Sequence, residues 1–417
     1  DSLKGNTLLT NGTDPFSTIN WVMRDACIKD KDGAIVFNAP AVEFPDFWSQ
    51  RAVDVVSSKY FRVVNGVRET SIKQMIDRVV NFIRYCGVFD YYFQAEAEIN
   101  FANELTYILV NQLASFNSPV WFNVGVDENS PQTSACFIVD VEDSMESILD
   151  WYKTEGLIFK GGSGSGVNLS NIRGRGLPLS GGGVASGVMS FMKVADCNAG
   201  AIKSGGTTRR AAAMRIMNWD HPEITDFIRC KADAEQLARQ LIALGQGNGI
   251  EGGAYDAIPW QNANNSVSVS DAAMAYQRYY PRSTAVVPDM LLQSISQATW
   301  ECGDPGLFFE DAVNRWHTTP SKGPIVSSNP CGEFVRPVNE ACNLASINLL
   351  KFLNNDGSFD TNRFRHVVSI MITAMDILID RSHFPTPKIK ESSRNYRPLG
   401  LGYTNLGAML MAKGLPY

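Results

Sequence analysis

Asn329-Pro330-Cys331-Gly332-Glu333, followed closely by Asn339-Glu340-Ala341-Cys342-Asn343-Leu344-Ala345-Ser346-Ile347-Asn348-Leu349, is the stretch on which the reading of this sequence turns. If the first segment is extended, side chains alternate, and Asn329, Cys331 and Glu333 share one side: an amide, a thiol and a carboxylate in a row. Pro330 and Gly332 stiffen and bend the chain between them. Taken alone, Cys331 reads as a small buried hydrophobe, which is what most single cysteines are.

Working outward, the chain has 417 residues, enough for two or more modules or one large barrel with an appended region. Hydrophobic residues make up 44% and charged residues 19%, the balance of a soluble globular protein. The longest apolar stretch, near residues 367–379, contains Asp376 and is too short to cross a bilayer, so no membrane association is expected. A net charge of -6 gives no electrostatic footprint for nucleic acid, and the ligand is expected to be small. Eight cysteines without a C-x-x-C pair or histidines at zinc spacing indicate neither a disulfide scaffold nor a metal site. The expected compartment is reducing, hence cytoplasmic.

Ile72, Met75, Ile76, Val79, Val80 and Ile83 recur at helical spacing after Ser71, a plausible cap. A second helix runs through Phe101, Leu105, Ile108 and Leu109 and stops before Ser118-Pro119. Residues 1–115 thus read as a mainly helical region. From 116 to 417 short β-prone pieces (120–124, 135–141, 266–269) alternate with helical ones such as 145–159, an α/β pattern. Residues 174–187 and 203–210 read as long functional loops, 232–262 as a surface excursion, and 400–413 as the opening of a last helix. The glycine run 161–166 fits neither a P-loop, whose lysine must follow the glycines, nor G-x-G-x-x-G. A flexible turn and a loop admitting a ligand's approach remain equally open for it.

Several motifs in order resemble those of ribonucleotide reductases. They are Phe116-Asn117-Ser118-Pro119-Val120-Trp121-Phe122-Asn123, Ser134-Ala135-Cys136-Phe137, Phe159-Lys160 with its glycines, Lys203-Ser204-Gly205-Gly206 with Arg209-Arg210, and the two segments quoted first. The wording is most similar to the adenosylcobalamin-dependent class II. The resemblance implies an α/β barrel of ten strands in two halves, with residues 325–345 as a finger loop through its centre. This chain would hold the N-terminal helical layer, the first half-barrel and the loop. It also implies reduction of ribonucleotides, expected to be diphosphates, to 2′-deoxyribonucleotides. Cys331 would be the thiyl radical, Glu333 the general base and Asn329 the group orienting the ribose, with Cys136 and Cys342 as the reducing pair that closes to a redox-active disulfide. The remaining cysteines, Cys27, Cys86, Cys197, Cys230 and Cys302, are expected to be structural.

Positions matching substrate-phosphate contacts are Ser118, Ser134, Ala135 and Ser163. Those matching contacts of a deoxynucleoside triphosphate (dNTP) effector are Asp143, Ser144, Lys160 and Arg173, with Lys203, Arg209 and Arg210 on the loop that carries specificity to the base. Implied partners are adenosylcobalamin, the effector, a thioredoxin-like reductant and a second copy in a homodimer. The second half-barrel, with most of the cobalamin contacts, is expected outside these 417 residues, on a truncated-off continuation or a second polypeptide. Little turnover is therefore expected of this chain alone. Two other readings stand beside this one: the large subunit of a metal-dependent class I reductase, and a non-catalytic nucleotide-binding relative.

Overall fold

The structure is a computed structural model that describes residues 8–9, 12–30, 32–94, 96–127, 130–202, 211–249, 252–279 and 288–417. The chain divides into two compact units: Asp1–Ala135 with Cys342–Phe384 and Ser393–Tyr417, and Cys136–Ala341 with Pro385–Ser392.

In the first unit the helix Ile72–Phe89 begins at Ser71 in a full capping box: Ser71 accepts from the Lys73 amide and Gln74 reaches back to the Ser71 amide. The stripe read from the sequence is buried, and Val79 and Ile83 share one core with Leu105 and Ile108 of the helix Ala97–Val110 and with Met371 and Leu378 of Thr361–Arg381. Inside that helical packing, His366 and Glu104 meet at 3.1 Å, both buried. The helical reading of residues 1–115 missed an antiparallel hairpin, Trp21–Lys29 with Ile35–Pro45. Its outer face is largely exposed and its strands lack a clean alternation, so the period-2 signal was weak.

A strand, Glu340–Asn348, runs into this unit from Cys342 onward, pairing antiparallel with Ala114–Phe116 and parallel with Leu399–Thr404. The second of these corrects the reading of 400–413 as helix throughout: a strand comes first and the helix Leu406–Ala412 follows. Residues 120–124, read as β-prone from Val120 and Val124, lie mostly in the helix Ser118–Asn123. There Pro119, in the first turn, has no amide to lose and the right φ to start a helix.

The second unit is built on five parallel strands whose spatial order follows the chain: Cys136–Ile138, Gly164–Asn168, Ala212–Asn218, Ala263–Val269 and Gly306–Phe309. The connections carry the helices Met145–Lys160, Val188–Ala201, Ile224–Ala243 and Pro288–Cys302. Because every crossover steps to the next neighbour in the same direction, the sheet winds as a barrel does and has no point where strand order reverses. The first part of 232–262, read as a surface excursion, belongs to Ile224–Ala243, where Ala232, Ala234 and Ala238 are buried. Short alanines hid the apolar face of that helix in a polar-looking sequence.

Candidate active site

The glycine run resolves first. Gly164 and Gly166 are not in a turn: they lie in the second parallel strand, Gly164–Asn168, and point to one face while Ser165 and Val167 point to the other. The bare face is crossed by the segment before Cys331. A Cβ on Gly166 would lie 1.7 Å from the Ser328 carbonyl oxygen, and one on Gly164 would lie 2.7 Å from the Pro330 ring. Only glycine admits backbone that close.

The segment itself is not an extended row. Gly332, at φ +83°, donates its amide to the Asn329 carbonyl at 3.1 Å, closing a turn over Pro330 and Cys331. The turn is pinned on several sides. Asn264 Nδ2 donates to the Pro330 carbonyl at 2.7 Å, and the Asn329 amide donates to the Phe334 carbonyl at 3.2 Å. Asn329 Oδ1 accepts from the Phe334 amide at 2.9 Å. Its orientation fixed in this way, Asn329 turns Nδ2 onto Cys136 Sγ at 3.0 Å, and the Cys136 thiol donates to Glu333 Oε1 at 3.7 Å. An amide, a thiol and a carboxylate up to 197 residues apart therefore meet, with Asn329 and Cys136 buried and Glu333 exposed. Cys331, at the apex of the turn, is exposed.

The stems of the loop are clamped by Glu340, fully buried, which accepts from Lys322 Nζ and Arg336 Nε, each at 2.8 Å. Burial pushes the Lys322 ammonium below its usual range, and the Glu340 carboxylate opposes that.

Cys342 sits in the first unit, buried on its strand, with its sulfur donating to the Asn343 carbonyl at 3.2 Å and lying against Gly400. In the same unit Ser118 opens its short helix and shares a hydrogen bond with the Tyr60 phenol at 3.0 Å. Ser134 is buried, and the Ala135 amide donates to the Cys342 carbonyl at 2.9 Å, so that N–H is already used. In the second unit Ser163 is buried, its amide donating to the Ile158 carbonyl at 3.2 Å.

Of the effector positions, Asp143 and Arg173 form an ion pair at 2.5 Å, and Arg173 Nη1 also donates to the Pro178 carbonyl at 3.0 Å. Ser144 caps the helix Met145–Lys160, accepting from the Ser147 amide at 3.2 Å. Lys160 ends that helix. Sixteen residues at 1.5 Å each put it about 24 Å from Ser144, so Lys160 does not join the other three. Lys203, Arg209 and Arg210 lie outside the described residues. A cavity of about 600 Å³ borders Ser144 and is lined by Glu142, Glu146 and Asp150 together with Lys153 and Lys388.

Sequence reading missed three groups. Glu223 Oε2 accepts from the amides of Arg175 at 3.1 Å and Val188 at 2.6 Å, tethering both ends of the 174–187 loop. Asn264 holds the turn, as described. Glu155 and Arg215 form a buried bidentate pair at 2.7 and 2.8 Å. An arginine amid apolar residues in the strand Ala212–Asn218 was the available signal. Among cysteines expected to be structural, Cys86 and Cys230 are buried, and burial pushes their thiols up to about 11 and about 12, keeping them protonated and unreactive at neutral pH.

A model of the ribonucleotide reductase barrel domain matches residues 134–280 and 275–417, and one of class II vitamin B12-dependent ribonucleotide reductase matches 22–68 and 63–112. A vitamin B12-dependent ribonucleotide reductase of Streptomyces coelicolor is 50% identical over 428 residues, covering 98% of this chain and 44% of the relative. A vitamin B12-dependent ribonucleoside-diphosphate reductase of Mycobacterium tuberculosis is 34% identical, covering 72% and 42%. The chain thus spans less than half the length of the curated relatives it matches. Among solved structures, the α subunit of the Actinobacillus ureae class Id ribonucleotide reductase superposes with a TM-score of 0.61 at 20% identity, covering 82% of this chain and 58% of that one, a likeness of fold. The chain belongs to the vitamin B12-dependent, class II family of ribonucleotide reductases.

Proposed function

We propose that residues 116–417 carry the first part of the barrel of an enzyme reducing ribonucleoside diphosphates to 2′-deoxyribonucleotides, with Cys331 as its initiating thiol. The convergence of Asn329, Cys136 and Glu333, with Cys331 at the exposed apex of the same pinned turn, carries this reading. An exposed thiol held at a fixed place fits a cofactor that approaches from outside the turn. Adenosylcobalamin, when bound, supplies the radical that removes the hydrogen atom of that thiol. The Cys331 thiyl takes the 3′-hydrogen of the ribose, Glu333 accepts the 3′-hydroxyl proton, and Asn329 holds the sugar. The 2′-oxygen leaves as water with a proton from a thiol of the reducing pair, Cys136 and Cys342. That pair gives two electrons and closes to a disulfide, Cys331 returns hydrogen to C3′, and a thioredoxin-like dithiol reopens the disulfide. Ser118, Ser134, Ala135 and Ser163 are assigned to the substrate phosphates, Ala135 through groups other than its amide.

Asp143, Ser144 and Arg173, with the 174–187 loop, are assigned to a dNTP effector. Met145, Leu149 and Leu157 are exposed on the helix Met145–Lys160 at spacings of four and eight, a stripe suited to a second copy. Antiparallel packing along it would bring the partner subunit's Lys160 to the Asp143 end. The test is Cys331→Ser in the full-length enzyme, with adenosylcobalamin, dithiol and each ribonucleoside diphosphate. Substrate binding with no deoxynucleotide formed is the expected result, and retained turnover overturns the proposal.

A further inference from the structure

The two faces of the strand Gly164–Asn168 do different things. On one, the Ser328 backbone rests directly on Gly166 and the Pro330 ring on Gly164. On the other, Ser165 Oγ donates to Glu155 Oε1 at 2.5 Å. Glu155 is fully buried on the helix Met145–Lys160 and holds Arg215 of the next strand through both oxygens. The Arg215 guanidinium lies 5.0 Å from the centre of the Trp151 ring, one helical turn before Glu155. All of these residues belong to the second unit.

A buried ion pair is a poor means of gaining stability, since desolvating both charges offsets most of their attraction, and well-packed apolar residues do as well. What it supplies is a fixed geometry: bidentate contact sets the guanidinium and carboxylate in one plane at one separation. Here the fixed carboxylate reaches the strand through a single hydroxyl, and the strand transmits its height to the loop at Gly166, against the Ser328 backbone, and at Gly164, against the rigid Pro330 ring. Gly164 and Gly166 have no side chain that could relax to absorb a displacement, and Asn168, next on the same face, is itself tied to the Val326 carbonyl at 3.0 Å.

We infer that Ser165, Glu155 and Arg215 are positioning residues for the reaction, setting the height of the glycine floor that places Asn329 and the Cys331 turn. They touch neither substrate nor cofactor. This rests on the assignment of Cys331 under the proposed function, and the experiment separates the two.

In the full-length enzyme, Ser165→Ala and the double variant Glu155→Leu with Arg215→Met are compared with the parent for kcat, KM, thermal midpoint and the iodoacetamide rate at Cys331, read by mass spectrometry. Exposed Cys197 serves as internal control. A misplacement approaching 1 Å costs on the order of 100-fold in rate. The expected result is a ten- to hundredfold loss of kcat at unchanged KM, a several-fold change in Cys331 alkylation, and no change at Cys197. A thermal midpoint close to the parent's excludes a merely structural role. If kcat and the Cys331 rate both stay within twofold of the parent, the inference is wrong. Should the double variant fail to fold, Ser165→Ala, which removes one hydroxyl, decides by the same criteria. If Cys331→Ser remains active, the underlying reading fails; if it is inactive while Ser165→Ala is unaffected, only the positioning role fails.

Discussion

The turn at 329–333 and the loop at 174–187 both contain proline and glycine, yet they are held in opposite ways. The turn is held from outside: by the glycine floor, by Asn264, and by both polar ends of the Asn329 side chain. The loop is held by itself. Gly176 donates to Ala185, Ala185 to Leu177 and Leu179 to Gly183, so it forms an irregular hairpin whose tip is exposed. Its connections to the rest of the unit include Glu223 at its base and Arg173 at the Pro178 carbonyl. Chemistry needs atoms held to a fraction of an ångström, whereas a segment that reports on a ligand needs a second arrangement within reach. That difference is the one that the catalytic and effector roles proposed above would require.

The most damaging way to probe that contrast is Gly166→Ala. With Ser328 oxygen 1.7 Å from the new Cβ, the loop or the strand must shift. A loss of more than about 100-fold in deoxynucleotide formation is expected, with about 1–3 kcal/mol of destabilisation from overpacking, measured by turnover and urea denaturation. Next comes Asn329, where two substitutions separate holding from chemistry. Asn329→Ala orphans the buried Phe334 amide and is expected to cost about 1–3 kcal/mol. Asn329→Asp keeps an acceptor for that amide but loses the donor to Cys136, so stability should change less while activity still falls. Equal stability losses in the two variants would show that the Phe334 contact does not hold the turn.

How much of this was legible in the sequence depends on the kind of force involved. The helices at 72–89 and 145–160 were readable because their signals are local: a cap, a periodic apolar stripe, a terminus. The Asn329, Cys136 and Glu333 cluster was not readable from spacing, since nothing local joins residues nearly 200 positions apart. The ordered motifs of the family pointed to it. Extended geometry was the wrong basis for grouping Asn329 with Glu333: both reach Cys136 because Gly332 folds the segment back at a positive φ. Glycines 164 and 166 were equally opaque, because a strand needing bare backbone for a crossing loop and a flexible turn have the same composition.

A gentler test acts on the loop. Glu223→Ala removes the acceptor shared by the Arg175 and Val188 amides, and trypsin cleavage after Arg173 and Arg175 should accelerate about tenfold as the base of the loop opens more often. The 329–333 turn, which Glu223 does not touch, should keep its alkylation rate at Cys331. A parallel rise at Cys331 would mean that the two segments are mechanically coupled, and the contrast between them would not hold.

The smallest effect is expected at the loop's exposed tip, where the same chemical change made at Gly166 should pass almost unnoticed. A Cβ on Gly181 meets nothing within 4 Å, and its backbone lies outside the left-handed region, so alanine there strains neither packing nor dihedral. Stability within about 0.5 kcal/mol of the parent is expected on urea denaturation. Gly182, its neighbour, also has open space but sits at φ +89°, where an L side chain is strained; alanine there should cost roughly 1 kcal/mol. The three glycines thus separate contact from conformation: Gly166 is required by the segment that crosses it, Gly182 by its own backbone, and Gly181 by neither. If Gly181→Ala proved as harmful as Gly166→Ala, the loop would be packed against something that its open surroundings do not show, and the contrast between the two segments would fail.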